Sequence, residues 1–376
     1  MRWPPRVLLL LIALSLAASC ALRPHPRTRP VAVPAGFEVA GTYLLPETRF
    51  DGTGALIAEL SGAWYDERAR ELVTVSDRRD QSTLITMALS VTPEVSLRPI
   101  RAVRVERALA HRTMDLEGVA PARDGHMFIS SEGEAVNPDA PSPGVFEYTR
   151  EGRYVRSLPM PAAYAGLRSN LGFEALSASP DGRRLFAAAE SSLRQDGGPA
   201  TVETGALTRI LVLDPSGLIG AREYAYRTEP VPRLPANRPV SGENGVPEVL
   251  AIGSDDLLVL ERAYVAEQGS GGRSANGVRI FHVHLDPDAE VTGRWSLKDT
   301  PPVATLRKTL VLDLATLAAQ LPPRLANLEN FEAMSLGPVL PDGRRTLLLL
   351  SDNNCSDRQV TALVVLAYRA PAFRTR

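Results

Sequence analysis

Five recurrences of one acidic hairpin, in one phase along the chain, predict an all-β protein folded as a single β-propeller. The clearest copy spans residues 170–191. There Gly172-Phe173-Glu174-Ala175 opens a short apolar alternation, Ser179-Pro180-Asp181-Gly182-Arg183 makes a turn, and Leu185-Phe186-Ala187-Ala188-Ala189 runs into Glu190. Proline presets φ, aspartate bonds its own backbone and glycine takes the left-handed position, so the two apolar runs pair as a hairpin. A carboxylate at the start of one strand and another at the end of its neighbour then lie on one edge.

The other copies follow the same order. Asp115-Leu116-Glu117-Gly118-Val119 leads through Arg123-Asp124-Gly125 to a run ending at Glu132. Val246-Pro247-Glu248-Val249 leads through Ser254-Asp255-Asp256 to Leu260-Glu261-Arg262, and Asn330-Phe331-Glu332-Ala333 through Pro341-Asp342-Gly343 to Ser351-Asp352-Asn353. A weaker copy runs from Leu60-Ser61-Gly62 to Val75-Ser76-Asp77; Leu60-Ser61-Gly62 stands where the other units have a carboxylate step, so this unit is left with Asp77 alone. Four-stranded units of roughly 40 to 50 residues plus loops are what a propeller repeats. Five units are clear, and a sixth blade is expected.

Residues 37–376 are assigned to this domain. Residues 37–46 read as a first strand that closes the ring against residues 360–368, TALVVLAY and its neighbour. Residues 144–148, 208–213 and 278–285 read as outer strands, and density of strand and turn with little helical periodicity supports all-β. Residues 312–321, LDLATLAAQL, give one short helical excursion. Loops at 134–143, 195–205, 230–245 and 267–277, rich in Pro, Gly, Asn and Ser, are where a rigid scaffold places its ligand contacts.

Ahead of the domain, residues 1–19 carry Arg2 and Arg6, an apolar run at 7–18 and then small residues. That is the layout of a signal peptide, and the run is too short to span a bilayer. Ala17-Ala18-Ser19-Cys20 resembles a bacterial lipobox, so Cys20 is the expected lipidation site and residues 20–36 an arginine- and proline-rich linker. The expected location is periplasmic or cell-surface, with membrane contact only through the anchor; ordinary cleavage would instead release a soluble exported protein. The remaining cysteine, Cys355, would have no partner within the chain, so the fold does not rest on a disulfide. With 42 basic and 43 acidic residues no bulk field favours nucleic acid. A monomer is expected.

The DLEGVA step at 115–120, GFEALSASPDG at 172–182, LVLERAY at 258–264, and NFEAMS at 330–335 with LLLLSDNN at 347–354 together resemble the phytase-like family, "esterase-like activity of phytase". The resemblance covers nearly the whole chain beyond the linker, and the order of the motifs carries it more than any one of them. It implies a propeller with acidic repeats and hydrolysis of phosphoester or related ester substrates, small molecules in either case.

Strand ends nearest a propeller axis surround its central channel. Glu117, Glu174, Glu248 and Glu332 are therefore expected to occupy equivalent places on one face, with Arg262 as a phosphate-binding catalytic partner and Arg78 as a second clamp. Asp77, Asp115, Glu132, Glu190, Glu261, Asp352 and Asn353 are the expected metal ligands. Crowded carboxylates repel unless cations or arginines neutralise them, and hard oxygen donors in this number suit Ca²⁺. The plainer explanation of any one acid is a cap on a backbone N–H or a tie to an arginine of the next blade.

Other catalytic patterns fail. Gly272-Arg273-Ser274-Ala275-Asn276 breaks a nucleophile elbow at its last position. Gly269–Gly272 neither follows a strand nor precedes a helix, so it is no phosphate cradle. His282 and His284 share one strand face, as zinc could use, but no third histidine is near and an exposed outer strand accounts for them. Three functions stay open: a Ca²⁺-dependent ester or phosphoester hydrolase, a non-catalytic surface-binding propeller with structural Ca²⁺, and a lactonase-like propeller enzyme.

Overall fold

The computed structural model of the protein describes residues 35–369, apart from 52, 108–113, 133–142, 235–238, 270–271, 299–301 and 355. The expected leader, the expected linker up to residue 34, Cys20 and Cys355 lie outside the described residues. After β1 (Glu38–Leu45) and a small ribbon of β2 (Thr48–Arg49) and β3 (Leu56–Ile57), four blades follow in chain order. Blade 1 is β4 (Leu60–Asp66), β5 (Glu71–Ser76), β6 (Thr83–Ser90) and β7 (Ser96–Arg104). Blade 2 is β8 (Leu116–Pro121), β9 (Met127–Ser131), β10 (Gly144–Tyr148) and β11 (Tyr154–Ser157). Blade 3 is β12 (Phe173–Ala178), β13 (Leu185–Ala189), β14 (Leu207–Leu213) and β15 (Arg222–Arg227). Blade 4 is β16 (Val240–Ala251), β17 (Asp256–Glu267), β18 (Ser274–His284) and β19 (Lys308–Asp313).

Blade 5 holds both ends of the fold. Its inner strands are β20 (Asn330–Gly337), β21 (Arg345–Asp352) and β22 (Thr361–Tyr368), and β1 supplies the outer edge. β1 runs antiparallel to β22 from Glu38 opposite Ala367 to Leu45 opposite Thr361, which is the closure the sequence predicts. The short helical excursion is also found, as a 3₁₀ helix over Leu314–Gln320 that Asp313 caps through Ala315 N at 3.1 Å. No sixth blade is present among the described residues. The chain that one would need is spent on the strands of blade 4, up to 12 residues long, and on the connections around them.

Each interface between blades is an apolar layer fed by both neighbours. Leu257 and Val259 point toward blade 3, while Leu258 and Leu260 on the same strand point toward blade 5. Leu347 and Leu349 likewise meet blade 4, and Leu348 and Leu350 meet blade 1. Strands covered on both faces have no solvent side, which is why LLVL and TLLLLS read as unbroken apolar runs rather than alternations. Each such buried side chain contributes about 1.5–3 kcal/mol.

The inner strands β4, β8, β12, β16 and β20 stand next to one another around the axis. At Gly62 on β4 the approach is close enough to forbid a side chain. An added Cβ would lie 2.3 Å from Glu117 O and 2.8 Å from Gly118 Cα, and φ is +57° there. The nearest atoms are all backbone of β8, so nothing flexible can move. We expect Gly62→Ala to cost about 2–4 kcal/mol of stability in denaturant unfolding; a loss below about 0.5 kcal/mol would contradict this packing.

Candidate functional site

All five inner strands carry a β-bulge near the same end. The ladder shifts between Ser61 and Ala63, Leu116 and Val119, Phe173 and Ala175, Gly245 and Glu248, and Phe331 and Ala333. A bulge leaves one residue unpaired and re-aims its side chain. In blades 2, 3 and 5 the re-aimed residue is Glu117, Glu174 and Glu332, all lining one cavity of about 670 Å³. Glu132, Glu190 and Asp352 end the partner strands at matching ladder positions, with Glu132 N on Asp115 O, Glu190 N on Gly172 O, and Asp352 opposite Asn330. Blade 1 offers Gly62 at the bulge, as the sequence indicates, but adds Glu59 and Asp80 to Asp77 on the wall.

The cavity is lined by ten carboxylates and three arginines. Arg262 is the buried centre: its Nη1 donates to Glu243 at 2.7 Å, and its Nη2 to Glu190 and Glu332 at 3.1 Å each. One guanidinium thus joins acids from blades 3, 4 and 5. Asn330 Nδ2 donates to Glu332 at 2.8 Å. Across the cavity Arg79 binds Asp115 at 2.6 Å and reaches Asn170, and Arg78 binds Glu59 at 2.8 Å and Asp80 at 3.2 Å. Glu132 accepts from Gly172 N at 2.5 Å and shares a hydrogen bond with the Glu174 carboxyl. Carboxylate oxygens of the buried trio Asp115, Glu117 and Glu132 all lie within 4.8 Å of one another, a donor set that suits a cation. Three lining residues, Glu59, Asn170 and Asn354, hold positive φ of 51°, 57° and 47°. Such conformations concentrate at functional sites.

Three expected site residues fall elsewhere. Glu248 is out of phase: the bulge in β16 takes Val246 and Pro247, because proline has no N–H for the ladder, and Glu248 lies beyond it. Its carboxylate accepts from Val249 N at 3.0 Å and Leu176 N at 3.3 Å, with the amides of Met334 and Ala63 also directed at it. It therefore ties the inner strands of blades 3, 5 and 1 on the axis, outside the cavity lining. Glu261 is also displaced, and is held by Tyr226 Oη at 2.6 Å, Lys308 Nζ at 2.7 Å, Glu229 N at 2.8 Å and Asn244 Nδ2 at 2.9 Å. Asn353 uses its side-chain oxygen on Glu59 N at 3.0 Å and lines a different depression. His282 and His284 both engage Asp256, at 2.9 and 3.2 Å, on an outer strand.

Glu243, Tyr264 and Asn276 were not legible as site residues. Glu243 and Asn276 belong to stretches that read as loops at 230–245 and 267–277, and Tyr264 closes the LVLERAY step at 258–264; the structure continues β16, β17 and β18 past the ring there. Burial alternates there, with Ala263 and Val265 buried and Tyr264 exposed, as strand pairing continues.

Burial sets the electrostatics. It raises Glu117 and Glu174 well above the usual carboxylate range, with Asp115 and Glu132 adding to the first and Glu117 and Glu132 to the second. Burial lifts Glu190 to about 8 even though Arg262 opposes the shift, and lifts Glu332 against the same arginine. Asp77 is pushed to about 9 by burial, then by Asp352, Glu59 and Asp115. Burial also works against the Arg262 charge, but Glu190, Glu332 and Glu243 outweigh it and keep the guanidinium charged.

Acids with raised folded-state pKa hold protons that the unfolded chain has already lost, so they favour folding below the ordinary carboxylate pKa. That contribution fades as pH rises toward about 8 for Glu190. In chelator, the melting temperature is therefore expected to fall between pH 5 and pH 8, and added Ca²⁺ to flatten the slope by replacing protons; thermal scans across that window check both. A melting temperature that rises over the same window in chelator would contradict the burial of these acids.

Among the described residues no helix is long and apolar enough to cross a membrane. A secreted protein of Arthroderma benhamiae, itself uncharacterized, is 23% identical over 222 residues, covering 50% of this chain. The chain spans 40% of that relative's length. Among solved structures, the phosphate complex of the mannose phosphorylase MPT-4 of Leishmania mexicana is similar at 12% identity and a TM-score of 0.40, over 88% of this chain and 89% of that one. The periplasmic gluconolactonase PpgL of Pseudomonas aeruginosa is similar at 14% identity and a TM-score of 0.32, over 87% and 78%. Both likenesses are too remote to inform on activity. The sequence pattern of the phytase-like family, esterase-like activity of phytase, matches residues 55–355, and the protein, a five-bladed β-propeller, belongs to that family.

Proposed function

We propose that this protein is an exported hydrolase of phosphoester or related ester substrates that works with a divalent cation in its central cavity, Ca²⁺ being the ion its donors suit. The observation that carries this reading is the convergence of Glu117, Glu174 and Glu332 from three bulges onto one cavity shared with Arg262. Export rests on the leader at residues 1–19 and on the name of the secreted fungal relative. Cys20 as a lipid anchor is part of the same proposal, and a mature N-terminus elsewhere without acyl mass would remove it.

Ten carboxylates against three arginines make the cavity repel an anionic substrate. Asp115, Glu117 and Glu132 would hold the cation: they are buried, offer only oxygen, and their oxygens are mutually close. When bound there, a divalent cation supplies positive charge and polarises an ester or phosphoryl oxygen. Burial lifts Glu190 to about 8 ahead of ion binding, which makes it the carboxyl suited to deliver a proton to a leaving oxygen. Arg262 fixes Glu190 and Glu332 in place. Arg79, half exposed at the mouth, draws anions inward and screens Asp115.

A non-catalytic binding propeller with structural Ca²⁺ is the second reading. It is favoured by Arg262, whose two Nη atoms are already engaged by three acids rather than offered to a ligand.

Phosphatase and esterase assays on purified protein decide between them. Turnover is expected with Ca²⁺, abolished by chelator and restored by Ca²⁺. Glu117→Gln should lower kcat by about 10²–10³-fold with a smaller change in KM. An absence of turnover across phosphomonoesters, phosphodiesters and carboxylic esters in the presence of Ca²⁺ would leave the binding reading.

A further inference from the structure

We propose that Asp77 and Asp352 form a second cation site, separate from the Asp115, Glu117 and Glu132 trio, at the seam where blade 5 meets blade 1. Blade 5 holds the first and last strands of the fold in one sheet, so an ion here would fasten that sheet to blade 1. It requires nothing of catalysis in the cavity.

Asp352 ends β21 and is 0% exposed. Its Oδ2 accepts from Asn354 N at 2.9 Å, whereas its Oδ1 is buried with no hydrogen-bond partner among the described residues. Asp77 follows β5, and its Oδ1 is buried and unpartnered in the same way. Glu59 brings the two together. Its N–H donates to Asn353, next to Asp352, at 3.0 Å, and its carbonyl accepts from Asp77 N at 3.1 Å. A glutamate at φ +51° is strained, so the surrounding structure holds this bridge against a local preference. Among the charges acting on Asp77, that of Asp352 is the strongest.

Two orphaned carboxylate oxygens in one buried seam are costly, because each lacks the hydrogen bonds it had in water and the Asp352 charge acts against that of Asp77. The guanidinium of Arg78 is engaged with Glu59 and Asp80. What suits the pair is a hard cation taking oxygen ligands, Ca²⁺ or Mg²⁺. The same chemistry also separates the two sites: the trio sits on blade 2, and the pair bridges blades 5 and 1.

Native mass spectrometry of the protein exchanged into Ca²⁺ reads the ion count directly. The wild type should carry two ions, and Asp352→Asn one. Asp352→Asn keeps an acceptor for Asn354 N, and Asp77→Asn provides a second variant with the same expected loss. Glu117→Gln should also carry one, by losing the other ion, and the double variant with Asp352→Asn should carry none. A single ion in the wild type that disappears in Glu117→Gln would overturn the seam site while sparing the cavity. Two ions retained by both Asp352→Asn and Asp77→Asn would overturn it as well. Loss of turnover in Glu117→Gln with the seam ion intact would bear on the hydrolase alone.

Discussion

Closing five sheets into one ring forces their inner strands together at the axis, and the structure is organised by that convergence. Where β4 meets β8 there is no room for even a Cβ at Gly62. Strands this close cannot all keep a regular ladder at the ring's edge, and each takes a bulge there. In blades 2, 3 and 5 the bulge turns a side chain into the cavity. Whatever residue type the repeat places at that step is gathered into one small volume, and in three blades it is glutamate. Glu248 accepts amides from neighbouring inner strands, so a buried carboxylate also ties the ring together.

Charge balance distinguishes this cavity from the buried ionic cluster around Arg209. Arg209 is 0% exposed, binds Asp196 through two nitrogens at 2.7 and 2.9 Å and Glu223 at 3.0 Å, and donates to the carbonyls of Arg294 and Trp295. There every charged group has its partners, and the cluster fastens the segment around Arg294 to blade 3. Such a network is a structural device. In the central cavity acids outnumber arginines, Asp77 keeps an orphaned oxygen, and burial pushes protons onto Asp77 and Glu190. Uncompensated negative charge in a partly enclosed space is a standing demand for cations.

The wall of the cavity is asymmetric because blade 4 is. Its strands run on past the bulge, so that Glu243, Tyr264 and Asn276 rise over one side. Arg262 stands on this extension and reaches back to blades 3 and 5. The packing beneath is regular by contrast, five apolar layers each fed by alternate residues of two blades. A rigid ring with one extended blade gives a fixed array of acids and one side free to vary.

The sequence by itself determined the repeat, the all-β class, the closure of β1 on β22, and the shared phase of Glu117, Glu174 and Glu332. Those properties follow from local chemistry: turn residues set hairpins, two-sided burial demands apolar runs, and a repeated step in a rotational structure lands on a ring. Glu132, Glu190 and Asp77 were legible for the same reason. Glu248 and Glu261 were misplaced because phase was counted from similar letters, whereas Pro247 moves the bulge and carries both acids away from the common face. The pairing of Arg262 with three blades, the joining of Asp77 to Asp352 through Glu59, and the wall built by Glu243 were decided by the tertiary structure alone. Each depends on distances between blades, and those are set by how closely the inner strands pack, which no window of sequence contains.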